Sequence, residues 1–213
     1  MARSDPPPLN ALAVAAATGE VLDLPELHEG LLAPWERRRL DRIRVPSRRD
    51  DVLAARLLVR WCVARFTGLP PGASGPEQYC EGCRRYGHGR PYLSRLPGLG
   101  VSLSHADGLV AAAVGPGPVG IDVEPEGRRP GPLPVLRRLL PEAELRDAAA
   151  APDPDAALLR LWVRAEARFK AGGQEGLRLL EWTDRDRAAV AAVAGTGPVT
   201  VMACGDPASA RPA

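Results

Sequence analysis

Asp122 and Glu124 stand two residues apart in Val119-Gly-Ile-Asp-Val-Glu124. If that segment is a strand, both carboxylates project from one face. Two like charges on one face repel and need a cation, unless the face is simply a solvated sheet edge. A third carboxylate, Glu166, falls in a row with Trp162 and Lys170 at helical positions i, i+4 and i+8. Taken alone, Glu166 and Lys170 are an ordinary helix pair worth about 0.2–0.5 kcal/mol. Ser104-His105 ends an apolar run just before Ala106-Asp107-Gly108. Being adjacent does not make them a nucleophile and its base, since such groups meet in space rather than in sequence. Together the weights change. Three carboxylates from two elements could hold one hard divalent cation with open positions, as Mg²⁺ prefers when it also binds substrate phosphates. Lys170, His105 and nearby arginines would then supply the positive counterpart, and the chemistry is transfer from a phosphate-bearing substrate.

Lys170 is the only lysine among 28 cationic residues, the rest being arginine. With 22 glycines and 23 prolines, this looks like the coding bias of a GC-rich genome. A compact ammonium is nonetheless something arginine cannot imitate. Cys80-x-x-Cys83 and His88 could be three ligands of a zinc site, with Cys62 or Cys204 as a fourth, or the cysteines could be packed, reduced thiols.

These groups must be positioned by a chain of 213 residues, enough for one large domain or two halves sharing a core. At 45% hydrophobic and 25% charged, the composition fits a globular protein and excludes a highly charged disordered one. Aromatics are only 4%, so Leu, Val and Ala must build the core. The net charge of +2 excludes the bulk positive field usual for nucleic-acid or membrane-surface binding, while leaving room for a local basic patch. The N-terminus has no apolar stretch of secretory type, so the expected location is cytoplasmic.

Leu9–Ala17 reads as a strand, and a basic amphipathic helix is expected from Pro34 to near Pro46. A second helix is expected over about 48–67, and 70–100 reads as irregular. The period then changes to strand over Val101–Ser104, Leu109–Val114 and Val119–Glu124. Pro125–Pro134 reads as a loop, 135–150 as one or two short helices, and 155–171 as a longer one. Closing strands are expected around Trp182, at Ala188–Val193 and at Val199–Met202, with a frayed tail over Asp206–Ala213.

Three blocks carry a resemblance: Val101-Ser-Leu-Ser-His105, Val119-Gly-Ile-Asp-Val-Glu124 and Leu161-Trp-Val-Arg-Ala-Glu-Ala-Arg-Phe-Lys170. In order and spacing they resemble the signature blocks of the 4′-phosphopantetheinyl transferases of the broad-specificity, surfactin-synthetase-activating type. Upstream, Glu36–Arg65 resembles that family's basic helix pair, and His88-Gly-Arg-Pro91 its substrate-contacting turn. The resemblance implies an α+β fold of two similarly folded halves about a pseudo-twofold axis, with the active site at their interface. The halves are expected to be residues 1–116 and 117–213. It further implies Mg²⁺-dependent transfer of the phosphopantetheine arm of coenzyme A to a serine of an apo acyl or peptidyl carrier protein, releasing adenosine 3′,5′-bisphosphate. By the same resemblance Asp122, Glu124 and Glu166 bind the metal, Glu166 is the base for the incoming hydroxyl, and Lys170 supports the phosphates. Arg48, Arg49, Arg56, Arg90, Ser104 and His105 would hold the nucleotide and its 3′-phosphate. The expected partners are coenzyme A and a carrier protein, with no nucleic acid, no membrane and a monomeric chain.

Two departures bear on rate and carrier preference. Ala165 stands where the family usually has a lysine before the metal-binding glutamate, and Arg164 projects about 100° away around the helix. The glycine spacing after Lys170 is also stretched, in Ala-Gly-Gly-Gln-Glu-Gly-Leu177. The rival readings are a Mg²⁺-dependent phosphate hydrolase and an impaired homologue that binds coenzyme A or carrier protein without transfer.

Overall fold

The computed structural model describes residues 10–73, 75–130, 136–138 and 140–205. Leu9 and the tail Asp206–Ala213 of the sequence reading lie outside the described residues, as do positions 131–135 of its loop and short-helix segments. The chain runs β1 (Ala11–Ala17), α1 (Thr18–Leu22), a 3₁₀ turn (Glu29–Leu31), α2 (Pro34–Leu40), α3 (Pro46–Thr67), β2 (Glu77–Cys80), β3 (Arg85–Tyr92), β4 (Leu99–Ala106), β5 (Leu109–Pro116) and β6 (Val119–Pro125). It continues through α4 (Glu142–Ala149), α5 (Pro154–Ala171), β7 (Arg178–Asp184), β8 (Ala189–Gly195) and β9 (Val199–Met202). The strands form one sheet in the order β2-β3-β4-β5-β1-β9 and another in the order β6-β8-β7. The architecture is therefore the expected mixture of helix and sheet. Among the described residues no helix is long and apolar enough to cross a membrane.

Strand alternation explains how few aromatics suffice. Leu12, Val14 and Ala16 of β1 join Val110, Ala112 and Val114 of β5 in packing beneath α3. The intervening Ala13, Ala15, Ala111 and Ala113 turn the other way, onto Val119, Ile121 and Val123 of β6 and Ala189, Ala191 and Val193 of β8. Small residues on the facing surfaces let the two sheets pack without bulky side chains between them. On the far side of β8, Val190, Ala192 and Ala194 pack against Leu159, Val163 and Ala167 of α5. The result is four layers: α3, sheet, sheet, α5. A strand arrangement recurs: β1 is followed, after α3 and the β2–β3 hairpin, by the β4–β5 hairpin, and β6 is followed, after α5, by the β7–β8 hairpin, with the hairpin's last strand lying between the other two in β4-β5-β1 and in β7-β8-β6. The last strand, β9, returns to lie parallel on β1.

Helix ends follow local chemistry. α5 begins where Asp153 accepts the Ala156 N–H at 3.0 Å, with Pro154 at its first position, and ends at Gly172, whose φ of 110° is left-handed. α2 ends at Leu40 rather than near Pro46. Pro46 instead starts α3, and its ring favours the extended conformation that Val45 adopts at φ −87°, ψ 115°. Residues 70–100, expected to be irregular, contain the β2–β3 hairpin. Its strand residues, partly buried in β2 and mostly exposed in β3, carry no apolar alternation, and Gly87 and Gly89 have φ of 101° and 93°.

Beneath α2 lies a buried ion cluster. Glu36, wholly buried, caps Ala33 N–H at 2.8 Å and accepts from Arg56 at 2.8 Å and from Arg60. The Arg56 guanidinium also lies 4.8 Å from the centre of the Trp35 ring.

Candidate active site

The site forms where β4, β6 and α5 meet. At Gly120 a Cβ would stand 2.1 Å from the Ala167 carbonyl oxygen and 2.4 Å from the Ala171 nitrogen, so α5 rests backbone to backbone on β6. Asp122 and Glu124 share the face of Gly120. Glu166 and Lys170 are flanked by that contact, which brings the helix row beside the strand carboxylates. From the other sheet, Ser102 Oγ accepts the Ile121 N–H at 3.0 Å, tying β4 to β6.

Asp122, 4% exposed, is the hub. Its Oδ1 accepts from Ser104 Oγ at 2.7 Å and from Lys170 Nζ at 2.6 Å, and Lys170 also donates to Ser104 Oγ at 2.9 Å. Its Oδ2 is buried without any hydrogen-bond partner, which is costly for a carboxylate oxygen. Glu124, 6% exposed, accepts from Arg128 at 2.5 Å. Burial, then the Asp122 charge, push the Glu124 carboxyl above the ordinary carboxylate range, against the pull of Arg128 and a Trp162 hydrogen bond. Glu166, half-buried, is raised by burial and then by Asp122, with Lys170 opposing. The cluster thus holds more negative charge than its own cations offset. Its oxygens are hard donors of the kind Mg²⁺ takes, and the unpartnered Asp122 Oδ2 is an available ligand atom, so the residues fit such an ion. The three carboxylates do not lie within 4.8 Å of one another, a spacing that among the described residues is met by Cys80, Cys83 and His88.

Lys170 makes its ion pair with Asp122 rather than with Glu166, its sequence neighbour one turn away. Arg164 points toward β7, 3.6 Å from Glu181, and Ala165 packs against the apolar cluster of Leu140 and Leu145. Neither replaces a second cation at the carboxylates.

The remaining expected residues divide. Arg90 lines a cavity of about 390 Å³ with Pro91, Ser102, Leu103, Phe169 and Lys170. Its guanidinium lies against Gly172, 3.0 Å from where a Cβ would stand, at the negative end of α5. His105 occupies the opposite face of β4 from Ser104 and is exposed. Its imidazole is held below the usual histidine range chiefly by desolvation; Asp51 opposes this, while Lys170, Arg48 and Arg39 add to it. Arg48 and His105 are therefore electrostatic neighbours. Arg49 is paired with Glu29 at 2.8 Å. The structure does not bring Arg56 to the cluster: it is 4% exposed and committed to Glu36.

Sequence reasoning did not single out Gly120, Arg128 or Arg39. Gly120 carried a usable signal, since glycine inside a strand often marks a close backbone approach. Arg39 also lines a cavity of about 630 Å³, together with Trp35, Arg38, Arg42, Arg85 and His88. The local basic patch is thus centred on α2 and the hairpin.

Residues 118–209 match the 4′-phosphopantetheinyl transferase superfamily. The chain is 30% identical over 127 residues to a 4′-phosphopantetheinyl transferase of Bacillus subtilis, a stretch covering 58% of this chain and 51% of the relative. It is 32% identical over 90 residues to the 4′-phosphopantetheinyl transferase psf-1 of Bacillus pumilus, covering 41% of this chain and 38% of that one. The chain thus spans about half the length, or less, of these relatives. The matched span contains β6 with its two carboxylates and α5 with Glu166 and Lys170, in the order the sequence blocks required, so over residues 118–209 the chain is similar to the 4′-phosphopantetheinyl transferase superfamily.

Proposed function

We propose that this protein transfers the 4′-phosphopantetheine group of coenzyme A to a serine hydroxyl of an apo acyl or peptidyl carrier protein. The observation that carries the reading is the Ser104–Asp122–Lys170 cluster with Glu124 and Glu166 beside it, a concentration of hard oxygens with one bare carboxylate atom. Asp122, Glu124 and Glu166 are the residues that would hold Mg²⁺, which when bound neutralises the pyrophosphate. Phosphoryl-type transfer asks mainly for positioning and charge neutralisation. Glu166, half-buried on the row, takes the proton of the serine hydroxyl. The serine oxygen bonds to the phosphorus that carries pantetheine as the bond to adenosine 3′,5′-bisphosphate breaks. Lys170 donates to phosphate oxygens, and Ser104 keeps Asp122 oriented. Arg90 shares the cavity of Lys170, and Arg48, beside His105, supplies a second positive charge for the nucleotide phosphates. Arg49 and Arg56, paired with Glu29 and Glu36, contribute there only if those pairs open.

The recurring strand arrangement supports two halves about a pseudo-twofold axis, residues 1–116 and 117–213, with the site where Ser104 of one meets Asp122 of the other. A cytoplasmic setting, in which the four free cysteines stay reduced, belongs to the same proposal.

The test incubates the protein with coenzyme A, Mg²⁺ and an apo carrier protein and weighs the carrier by mass spectrometry. The expected result is one added phosphopantetheine, abolished by EDTA and by Asp122→Ala. Coenzyme A breakdown with an unmodified carrier would make the protein a hydrolase, and binding without either would make it an impaired homologue.

A further inference from the structure

We propose that the β2–β3 hairpin is a zinc site formed by Cys80, Cys83 and His88. Cys80 ends β2, Cys83 sits in the turn and His88 lies on β3, and their ligand atoms all fall within 4.8 Å of one another. Cys83 Sγ and His88 Nε2 are 2.8 Å apart, a hydrogen bond in the metal-free arrangement. Around a tetrahedral zinc with Zn–S of about 2.3 Å and Zn–N of about 2.0–2.1 Å, sulfur and nitrogen stand about 3.6 Å apart. Opening that contact by less than an ångström therefore admits the ion. The Arg84 N–H donates to the Cys80 carbonyl at 2.7 Å and closes the turn that holds the two cysteines together.

Neither other cysteine completes the set. Cys62 is buried on the inner face of α3, with its Sγ 3.7 Å from the Leu12 carbonyl. Cys204 follows β9, at the opposite edge of the sheet from β2. Three protein ligands leave one tetrahedral position to solvent. Such a crosslink has a mechanical role here. β3 registers with β4 only at Tyr92 and Gly100, and the pairing of β2 with β3 shifts between Gln78 and Tyr79. Zinc would hold this weakly tethered hairpin closed and so fix the backbone leading to Arg90 and Pro91, which line the cavity shared with Lys170.

Purified full-length protein, loaded with Zn²⁺ and desalted, is expected to retain about one zinc per chain by elemental mass spectrometry. Cys83→Ser and His88→Ala should lose it, and Cys204→Ser should keep it. Replacing zinc by Co²⁺ should give thiolate-to-cobalt charge-transfer absorption and intense tetrahedral visible bands, absent in Cys83→Ser. A strong chelator should expose two additional reactive thiols in the wild type while the far-UV spectrum stays unchanged. The proposal is overturned if the wild type retains no zinc, if Cys83→Ser/His88→Ala retains as much, or if Cys80 and Cys83 are found joined as a disulfide after Zn²⁺ loading under reducing conditions. These readouts do not depend on transfer activity.

Discussion

Gly120→Ala is the sharpest test of how the candidate active site is assembled. The added methyl would lie 2.1 Å from the Ala167 carbonyl oxygen, 2.4 Å from the Ala171 nitrogen and 2.9 Å from the Lys170 carbonyl carbon. All three are backbone atoms in the last turns of α5, so no side chain can rotate away. Ordinary contact begins near 3.4 Å, and β6 and α5 must separate by about 1.3 Å at this point. The displacement falls on the residues proposed to carry the chemistry, because Asp122 is two positions along the strand and Lys170 is in the opposing turn. The 2.6 Å ion pair between them would open to about 4 Å if the helix moves as a body. Overpacking of this kind costs about 1–3 kcal/mol of stability, and the upper end is expected because the obstacle is backbone. A misplacement of about 1 Å at a positioned site is worth about 100-fold in rate. Gly120→Ala should therefore stay folded by circular dichroism, unfold at lower urea concentration, and transfer phosphopantetheine at about one hundredth of the wild-type rate at saturating coenzyme A and carrier. Gly98→Ala, whose methyl meets nothing within 4 Å, serves as the control. A Gly120→Ala protein with wild-type transfer and stability would refute the close helix–strand approach and the argument built on it.

Lys170→Arg should lower kcat/KM for transfer at least about tenfold, or about 1.4 kcal/mol. A planar guanidinium cannot occupy the point between Ser104 Oγ and Asp122 Oδ1 that Nζ holds at 2.9 and 2.6 Å, and an unchanged value would reduce Lys170 to a surface partner. Glu36→Ala should cost about 3–5 kcal/mol in chemical denaturation, since it leaves Arg56 and Arg60 buried without their counter-charge; a loss under about 1 kcal/mol would show that the guanidiniums find water. Glu20, just after β1, accepts from Arg187, just before β8, at 2.8 and 3.0 Å. Burial alone would raise its pKa, but the Arg187 bond and the Ala17 N–H outweigh it and hold the carboxyl below its ordinary value of 4.5. A depressed folded-state pKa contributes stability that is complete above the unfolded value and disappears as pH falls through the folded one. Glu20→Ala should therefore lose about 0.5 kcal/mol at pH 7, in the range of exposed pairs, and nothing once the pH is well below 4.5; a pH-independent difference would contradict the ion-pair origin.

Much of this site was legible because its parts are local patterns. Two carboxylates at strand spacing in Val119–Glu124 and a carboxylate and ammonium one helical turn apart in 162–170 are properties of short segments, and the four-layer packing keeps those faces as the periodicities imply. What the sequence could not carry is pairing across elements. Lys170 looks like the partner of Glu166 from spacing alone, yet it lies on Asp122, 48 residues away, because the glycine contact swings the helix face onto the strand. Arg56 has the composition of a phosphate ligand on a basic helix. Glu36, buried twenty residues upstream, takes it instead, and nothing in either segment's pattern announces which arginine turns inward. The β2–β3 hairpin escaped for a different reason. β2 is partly buried and β3 mostly exposed, neither with the hydrophobic alternation that reveals half-buried strands, and the left-handed glycines read as loop. The Cys80–Cys83–His88 spacing survived that misreading because ligand chemistry depends on residue type and a tight turn rather than on burial. In a protein this poor in aromatics, the residues that stand out are those whose presence packing does not explain: one lysine among arginines, one glycine inside a buried strand, and two cysteines at the β2–β3 turn.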